Sequence, residues 1–201
     1  MVIPDQVVCA CQKKDHDAFH CLVDFYHKPI YNYAYQMTGN HCDAQDVTQE
    51  TFLRVYTSIH LFRGNGTLTG WIYRIAGNIC IDRARRQSRR PTSSLDVPVG
   101  DMEMSWQLPD ESPGPDVETE RQELGRLLRE CLLELCVEHR TVVFFHDVRG
   151  LTYAEIARIM ECPVGTVKSR LSRARARLRS ILVARGVVTY GKVPAKMAVA
   201  V

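Results

Sequence analysis

The sequence predicts an all-α protein: two small helical domains joined by a flexible acidic linker, the C-terminal domain containing a helix-turn-helix. Three observations carry this. Apolar residues recur at helical spacing on both sides of a central segment. Charge divides in three blocks: residues 1–90 balance at +3, residues 91–120 at −8 with no basic residue, and residues 121–201 at +8. The acidic block also holds Pro91, Pro98, Pro109, Pro113 and Pro115 with Gly100 and Gly114, a composition with no core of its own. The expected organisation is therefore 1–90, a linker at 91–120, a second domain at 121–185 and a tail at 186–201.

The 201 residues are 45% apolar and 24% charged, which excludes a wholly disordered chain. No apolar run approaches the length of a membrane span, so no membrane insertion is expected. Met1 to Lys14 lacks the basic start and long apolar core of a secretory signal, and a cytoplasmic location follows. The eight cysteines form no paired CxxC set and suit a reducing compartment.

In the first domain, Ala18, Phe19, Leu22, Val23 and Tyr26 share helical spacing. Pro29 should interrupt, Tyr31, Ala34 and Tyr35 resume the pattern, and Gly39-Asn40 ends it. A helix over about 43–60 places Thr48, Phe52, Val55 and Ile59 on a core face. Asp46, Gln49, Glu50, Leu53 and Thr57 share the other face. An apolar Leu53 among acids and amides fits a docking surface better than a solvated one. Arg63, Asn65 and Thr67 fall in a glycine-rich loop. The next helix, about 68–86, buries Leu68, Ile72, Ile75 and Ile79. Trp71, Arg74, Asn78 and Arg85 lie on one flank, Tyr73 lies nearer the opposite side of the exposed face, and arginines including Arg86 crowd the end. Arginines for phosphates beside rings for stacking suit unpaired nucleic acid.

The second domain opens with Leu124, Leu127, Leu128, Cys131, Leu132 and Leu135 at helical spacing. Val142, Val143, Phe144 and Phe145 belong to a second helix that Gly150 stops. Thr152 and Glu155 have capping-box spacing. After a short break, Pro163 can occupy the first turn of a last helix. That helix has an apolar stripe of Val164, Val167, Leu171, Ala174, Leu178 and Ile181. From Val167 to Arg179 it has six basic residues and no acid. Lys168, Ser169, Ser172 and Arg173 oppose the stripe, with Thr166 at the entry. Arg170, Arg175 and Arg177 flank them. Small and basic residues on the outward face suit close approach to a major groove, with the flanks toward phosphates.

Three strings, DAQDVTQETFLRVY (43–56), FRGNGTLTGWIYRIAGNICIDRARR (62–86) and GLTYAEIARIMECPVGTVKSRLSRARARLR (150–179), resemble a bacterial RNA polymerase sigma factor, the extracytoplasmic-function (ECF) group of the sigma-70 family. The resemblance implies that 43–57 docks on the β′ clamp helices of core RNA polymerase. It implies that the 63–69 loop and following helix melt and read the −10 element of promoter DNA, and that 152–179 reads the −35 element. The linker would thread toward the RNA exit channel. The β subunit and an anti-sigma factor are further implied partners, and no cofactor is. Two departures stand out. Leu135-Cys136-Val137 replaces a Leu-Pro-Pro-like turn, implying a less rigid turn, and Gln45 stands where Glu is common.

Two other readings compete. A helix-turn-helix transcriptional regulator outside polymerase accounts for the second domain equally well, but not for Leu53 or the basic aromatic helix. A metal- or redox-responsive variant would use Cys9, Cys11, His16, His20 and Cys21, which lie close in sequence. No catalytic constellation stands out, so an enzyme is not expected.

Overall fold

The computed structural model describes residues 3–64, 66–89 and 115–187. All regular elements among them are helical. They are α1 (Asp5–Gln12), α2 (His16–Thr38), α3 (His41–Ser58), a 3-10 turn (Ile59–Leu61), α4 (Leu68–Arg89), α5 (Pro115–Leu133), α6 (Val137–Val143), a π segment (Phe144–Val148), α7 (Tyr153–Ile159) and α8 (Val164–Ala184). Most of the expected linker, the Asn65 position and the tail beyond Val187 lie outside the described residues. Helix α5 begins at Pro115, inside the stretch expected to be linker.

Local chemistry sets the helix ends. The Asp15 carboxylate accepts the Ala18 N–H at 3.0 Å, and the Asn40 side chain accepts the Asp43 N–H at 2.8 Å. Between α2 and α3, Gly39 takes φ +81. That backbone conformation calls for glycine, and a Cβ there would also push aside the Leu133 side chain of α5, 2.7 Å away. Pro29 does not interrupt the first long helix: α2 runs through it to Thr38. The reason is packing. Tyr26, Ile30, Tyr33 and Ala34, on both sides of the proline, are buried, and tertiary burial outweighs one missing backbone bond.

The two halves pack together around aromatic side chains. Tyr33 of α2 stacks on Phe145 at 5.5 Å and meets Tyr73 of α4 edge-on at 5.4 Å, and Phe144 lies 5.0 Å from Tyr33. Beside this stack Arg140 is buried, at 6% exposure. Its guanidinium donates to the carbonyls of Leu132 (2.9 Å), Leu133 (2.8 Å) and Leu135 (2.8 Å), and across the interface to the Met37 carbonyl. One cation thus serves the C-terminal ends of both α2 and α5, where carbonyls lack helical partners. The turn at Leu135-Cys136-Val137, expected to be loose, is held by this arginine. Cys80 lies under the same contact, and burial pushes its thiol up to about 12.

In the C-terminal half the capping box is present: Glu155 N–H donates to Thr152 Oγ1 (3.3 Å) and Thr152 N–H to Glu155 Oε2 (2.8 Å). Gly150, at φ +66, follows the π segment and ends it. Pro163 is the cap residue of α8, with extended ψ 146, and not part of its first turn.

Candidate functional site

Helix α3 presents the expected polar face. Asp46, Gln49 and Thr57 are exposed, Glu50 is half-buried and Leu53 is 59% exposed. Val47, Thr48, Thr51, Phe52 and Val55 are buried behind them. The face is partly neutralised. Glu50 holds Arg54 at 2.7 Å, and Asp46 lies 3.2 Å from Arg83 of α4, which also pairs with Asp43.

The loop before α4 turns on Gly64 (φ +73) and Gly66 (φ +135), whose N–H donates to the Gly64 carbonyl at 2.7 Å. Arg63 and Thr67 are exposed. The Thr67 hydroxyl accepts the Gly70 N–H at 3.1 Å and so starts α4. Trp71 is half-buried, its ring 5.6 Å from Phe62. Asn78, Arg85 and Arg86 are exposed, and Arg74 is half-buried.

Tyr73 is not on an exposed face. It is 2% exposed, enclosed by Tyr33, Phe144 and Phe145 with the Arg149 guanidinium 5.2 Å over its ring. Burial raises its pKa, and its hydroxyl has no hydrogen-bond partner among the described residues. The periodicity of α4 alone cannot show this, because the covering side chains come from α2 and from the other half of the chain.

Two arginines of the α4 flank are engaged across the interface. Arg74 Nη1 lies 2.7 Å from Glu161 Oε1, and Arg85 Nη2 lies 3.4 Å from Glu138 Oε1. With Asn78, Met160 and Arg170 they line one cleft between the halves.

On α8 the stripe Val167, Leu171, Ala174, Leu178 and Ile181 is buried as expected. Val164 is not: it begins the helix ahead of the packed surface and is 40% exposed. Lys168, Ser169, Ser172, Arg173 and Arg177 are exposed, while Thr166 and Arg170 are half-buried. The Lys168 ammonium sits 5.8 Å over the Tyr153 ring, and Arg175 pairs with Asp147. Four exposed positions of the outward face therefore stand together, with Arg177 on their flank.

Among the described residues no three His, Cys, Asp or Glu side chains converge to hold a metal ion. His20 pairs with Asp24 at 2.9 Å, His16 packs on Tyr56, and Cys11 is buried. No helix among them is long and apolar enough to cross a membrane. Sequence reasoning missed Arg140, whose only signal is an arginine set against the buried run Thr141–Phe145, and Gln12, which has no signal at all.

Residues 22–90 match the family model Sigma-70 region 2, and residues 125–178 match Sigma-70, region 4. The ECF RNA polymerase sigma factor SigW of Bacillus subtilis (strain 168) is 37% identical over 174 residues, spanning 85% of this chain and 92% of that protein. This chain belongs to the ECF group of the sigma-70 family. The ECF RNA polymerase sigma-E factor of Haemophilus influenzae (strain ATCC 51907 / DSM 11121 / KW20 / Rd) is 35% identical over 167 residues, 82% of this chain and 87% of that protein. Among solved structures, CnrH in complex with the cytosolic domain of CnrY shares the fold, with a TM-score of 0.61 and 22% identity over 89% of this chain and 96% of that one. Sigma factors are not an enzyme class. In this sigma factor α1 lies ahead of the region 2 match, and the acidic block falls between the two matched regions.

Proposed function

We propose that this sigma factor binds core RNA polymerase, directs it to a class of promoters and promotes DNA opening. Asp46, Gln49, Glu50, Leu53 and Thr57 form the polymerase-docking face. Arg63, Thr67, Trp71, Arg74, Asn78, Arg85 and Arg86 serve the −10 element, with Asn65 in the same loop. Thr166, Lys168, Ser169, Ser172 and Arg173 approach −35 base edges, and Arg170, Arg175 and Arg177 approach phosphates. Tyr73 is withdrawn from the DNA set because it is core in this structure. The protein acts in the cytoplasm, where polymerase is, and an anti-sigma factor is its expected regulator.

The observation that favours this reading over a regulator outside polymerase is Leu53, 59% exposed on a face of acids, amides and a hydroxyl. Solvation alone gives no reason for a leucine there. The closed packing has a consequence for the mechanism. The −10 and −35 elements are roughly 25 base pairs apart, about 85 Å at 3.4 Å per pair. A compact chain of this length has a radius of gyration near ~16 Å. The α4 and α7–α8 surfaces must therefore separate to engage both elements at once. The test is reconstitution with purified core polymerase. Co-purification and promoter-specific transcripts are expected. Duplex binding without polymerase association would leave the regulator reading in its place.

A further inference from the structure

The loop before α4 leaves open space at Gly64 and Gly66 on the side a side chain would take. A Cβ built on Gly64 or Gly66 meets no atom within 4 Å. No packing at these two glycines sets the direction of the stretch, whereas both of its ends make defined contacts.

Both ends are held by side chains outside the loop. At the entry, Gln12, the last residue of α1, donates from Nε2 to the Phe62 carbonyl at 2.8 Å and to the Ile59 carbonyl at 3.4 Å. The Ile59 carbonyl already accepts the Phe62 N–H within the turn, so the shorter bond from Gln12 serves the Phe62 carbonyl, which the turn itself leaves open. The Phe62 N–H closes back on Ile59 at 3.1 Å, and the Phe62 ring rests on Trp71. At the exit, the hydroxyls of Tyr26 and Thr69 share a hydrogen bond of 2.7 Å. Tyr26 is 3% exposed, so it is a fixed post. Helix α1 is itself anchored, with Cys11 buried on it and Ile3 buried just ahead of it.

We infer that Gln12 and Tyr26 are positioning residues for −10 readout, and that α1, although outside the matched sigma region, is part of the promoter-reading apparatus. This rests on the assignment of the loop to the −10 element. Gln12 touches no DNA. It fixes where Arg63 leaves the body, and so which base the loop can reach. A loop with free glycines and a loose entry would sample many directions, and binding would pay the ordering entropy each time.

The test uses reconstituted holoenzyme on a promoter panel with single-base changes in the −10 and −35 elements. Gln12→Leu keeps the bulk and removes the donor, and Gln12→Glu supplies only acceptors. Both are expected to lower open-complex formation by about 2–10-fold, the worth of one hydrogen bond, and to flatten preference within −10 while −35 preference stays intact. Gln12→Lys restores a donor toward two carbonyls and is expected to recover −10 preference. Tyr26→Phe should act like Gln12→Leu. A merely structural role would lower melting temperature and weaken both elements alike. That outcome, or an unchanged −10 ranking in Gln12→Leu, overturns the inference. Arg63→Ala and Thr67→Ala, run in parallel, separate the two levels. If they leave −10 ranking untouched, the loop is not the reader and the inference falls with that assignment. If they change it and Gln12→Leu does not, only the bracing role is wrong.

Discussion

The Arg74 guanidinium meets the Glu161 carboxylate at 2.7 Å, tying the α4 flank to the turn of the helix-turn-helix. Glu161 makes this contact from a left-handed backbone, φ +49, which disfavours a side-chain-bearing residue. The carboxylate is 63% exposed, so the pair contributes at most about 1 kcal/mol. Glycine at 161 loses that pair but relieves strain of a similar ~1 kcal/mol. Glu161→Gly should therefore melt within about 1 kcal/mol of the parent and leave Arg74 free. Arg74→Ala, by contrast, should reduce open-complex formation more than core-polymerase binding. Permanganate reactivity of melted thymines, read beside a pull-down, checks it; equal loss in both would point to a polymerase contact instead.

Tyr73 leads to an opposite kind of prediction. Its ring is packed by Tyr33, Phe144 and Phe145, while its hydroxyl is buried without a partner among the described residues. An unsatisfied buried hydroxyl costs about 1–3 kcal/mol. Tyr73→Phe keeps the packing and removes the cost, so urea unfolding should show equal or greater stability. A loss of stability would mean that the hydroxyl is satisfied in solution and that the aromatic contact between the halves is arranged differently.

What the sequence could and could not reveal follows from range. The α3 face, the capping box at Thr152 and Glu155, and the α8 stripe from Val167 to Ile181 are set by residues within a few turns of one another, and periodicity shows them. Tyr73 is buried by Tyr33 of another helix and by Phe144 and Phe145 of the other half, all far from it in sequence, so its own helix misleads. Pro29 fails as a breaker for the same reason: burial on both sides of it is tertiary. Arg140 binds carbonyls, which no sequence displays. Val164 is the local exception, since the stripe had to begin somewhere and the packed surface begins three residues later.

The proposed docking face on α3 gives a contrast between neighbours. Leu53 is 59% exposed and Phe52 is 8% exposed. Leu53→Ala should leave the melting curve in place and weaken polymerase binding. Phe52→Ala should cost about 3–5 kcal/mol by opening a cavity. Isothermal titration with core polymerase and a thermal melt, run on both variants, separate the roles. A Leu53→Ala protein that melts like a cavity variant would show that this face packs inward.

The helix-turn-helix should have an acid limit of its own. Hydrogen bonds from the Thr152 hydroxyl and then the Thr152 N–H hold the Glu155 carboxyl below its ordinary 4.5. A carboxylate with a depressed folded pKa contributes stability that is present above the unfolded value and disappears as pH falls through the folded one. The contribution should be complete above pH 4.5 and fade below it. Glu155→Gln should lack this component and show a flatter stability profile on the acid side. Melts across that range, monitored by helix signal, test it; identical profiles would mean that the capping box does not form in solution.

The proposed −35 role of α8 implies a division of labour among its outward side chains. Lys168, Ser169, Ser172 and Arg173 are exposed on the side opposite the buried Val167, Leu171 and Ala174, the arrangement behind their proposed role as base readers. Arg173 can give two hydrogen bonds to a guanine. Arg177 lies one turn on and leans to the flank, toward phosphates. Arg175 is already engaged by Asp147, so in the proposed phosphate role it would exchange that carboxylate for a phosphate and gain less from the DNA. Loss of a base contact costs about 1–3 kcal/mol and relaxes preference at one position. Loss of a phosphate contact weakens all sequences alike and lowers the salt slope by about one ion. On single-base −35 variants, Arg173→Ala should therefore blunt discrimination at one position. Arg177→Ala should lower every affinity and leave the ranking intact, and Arg175→Ala should do the same more weakly. If Arg173→Ala also preserves the ranking, α8 acts as an electrostatic anchor, and −35 choice then comes from DNA shape.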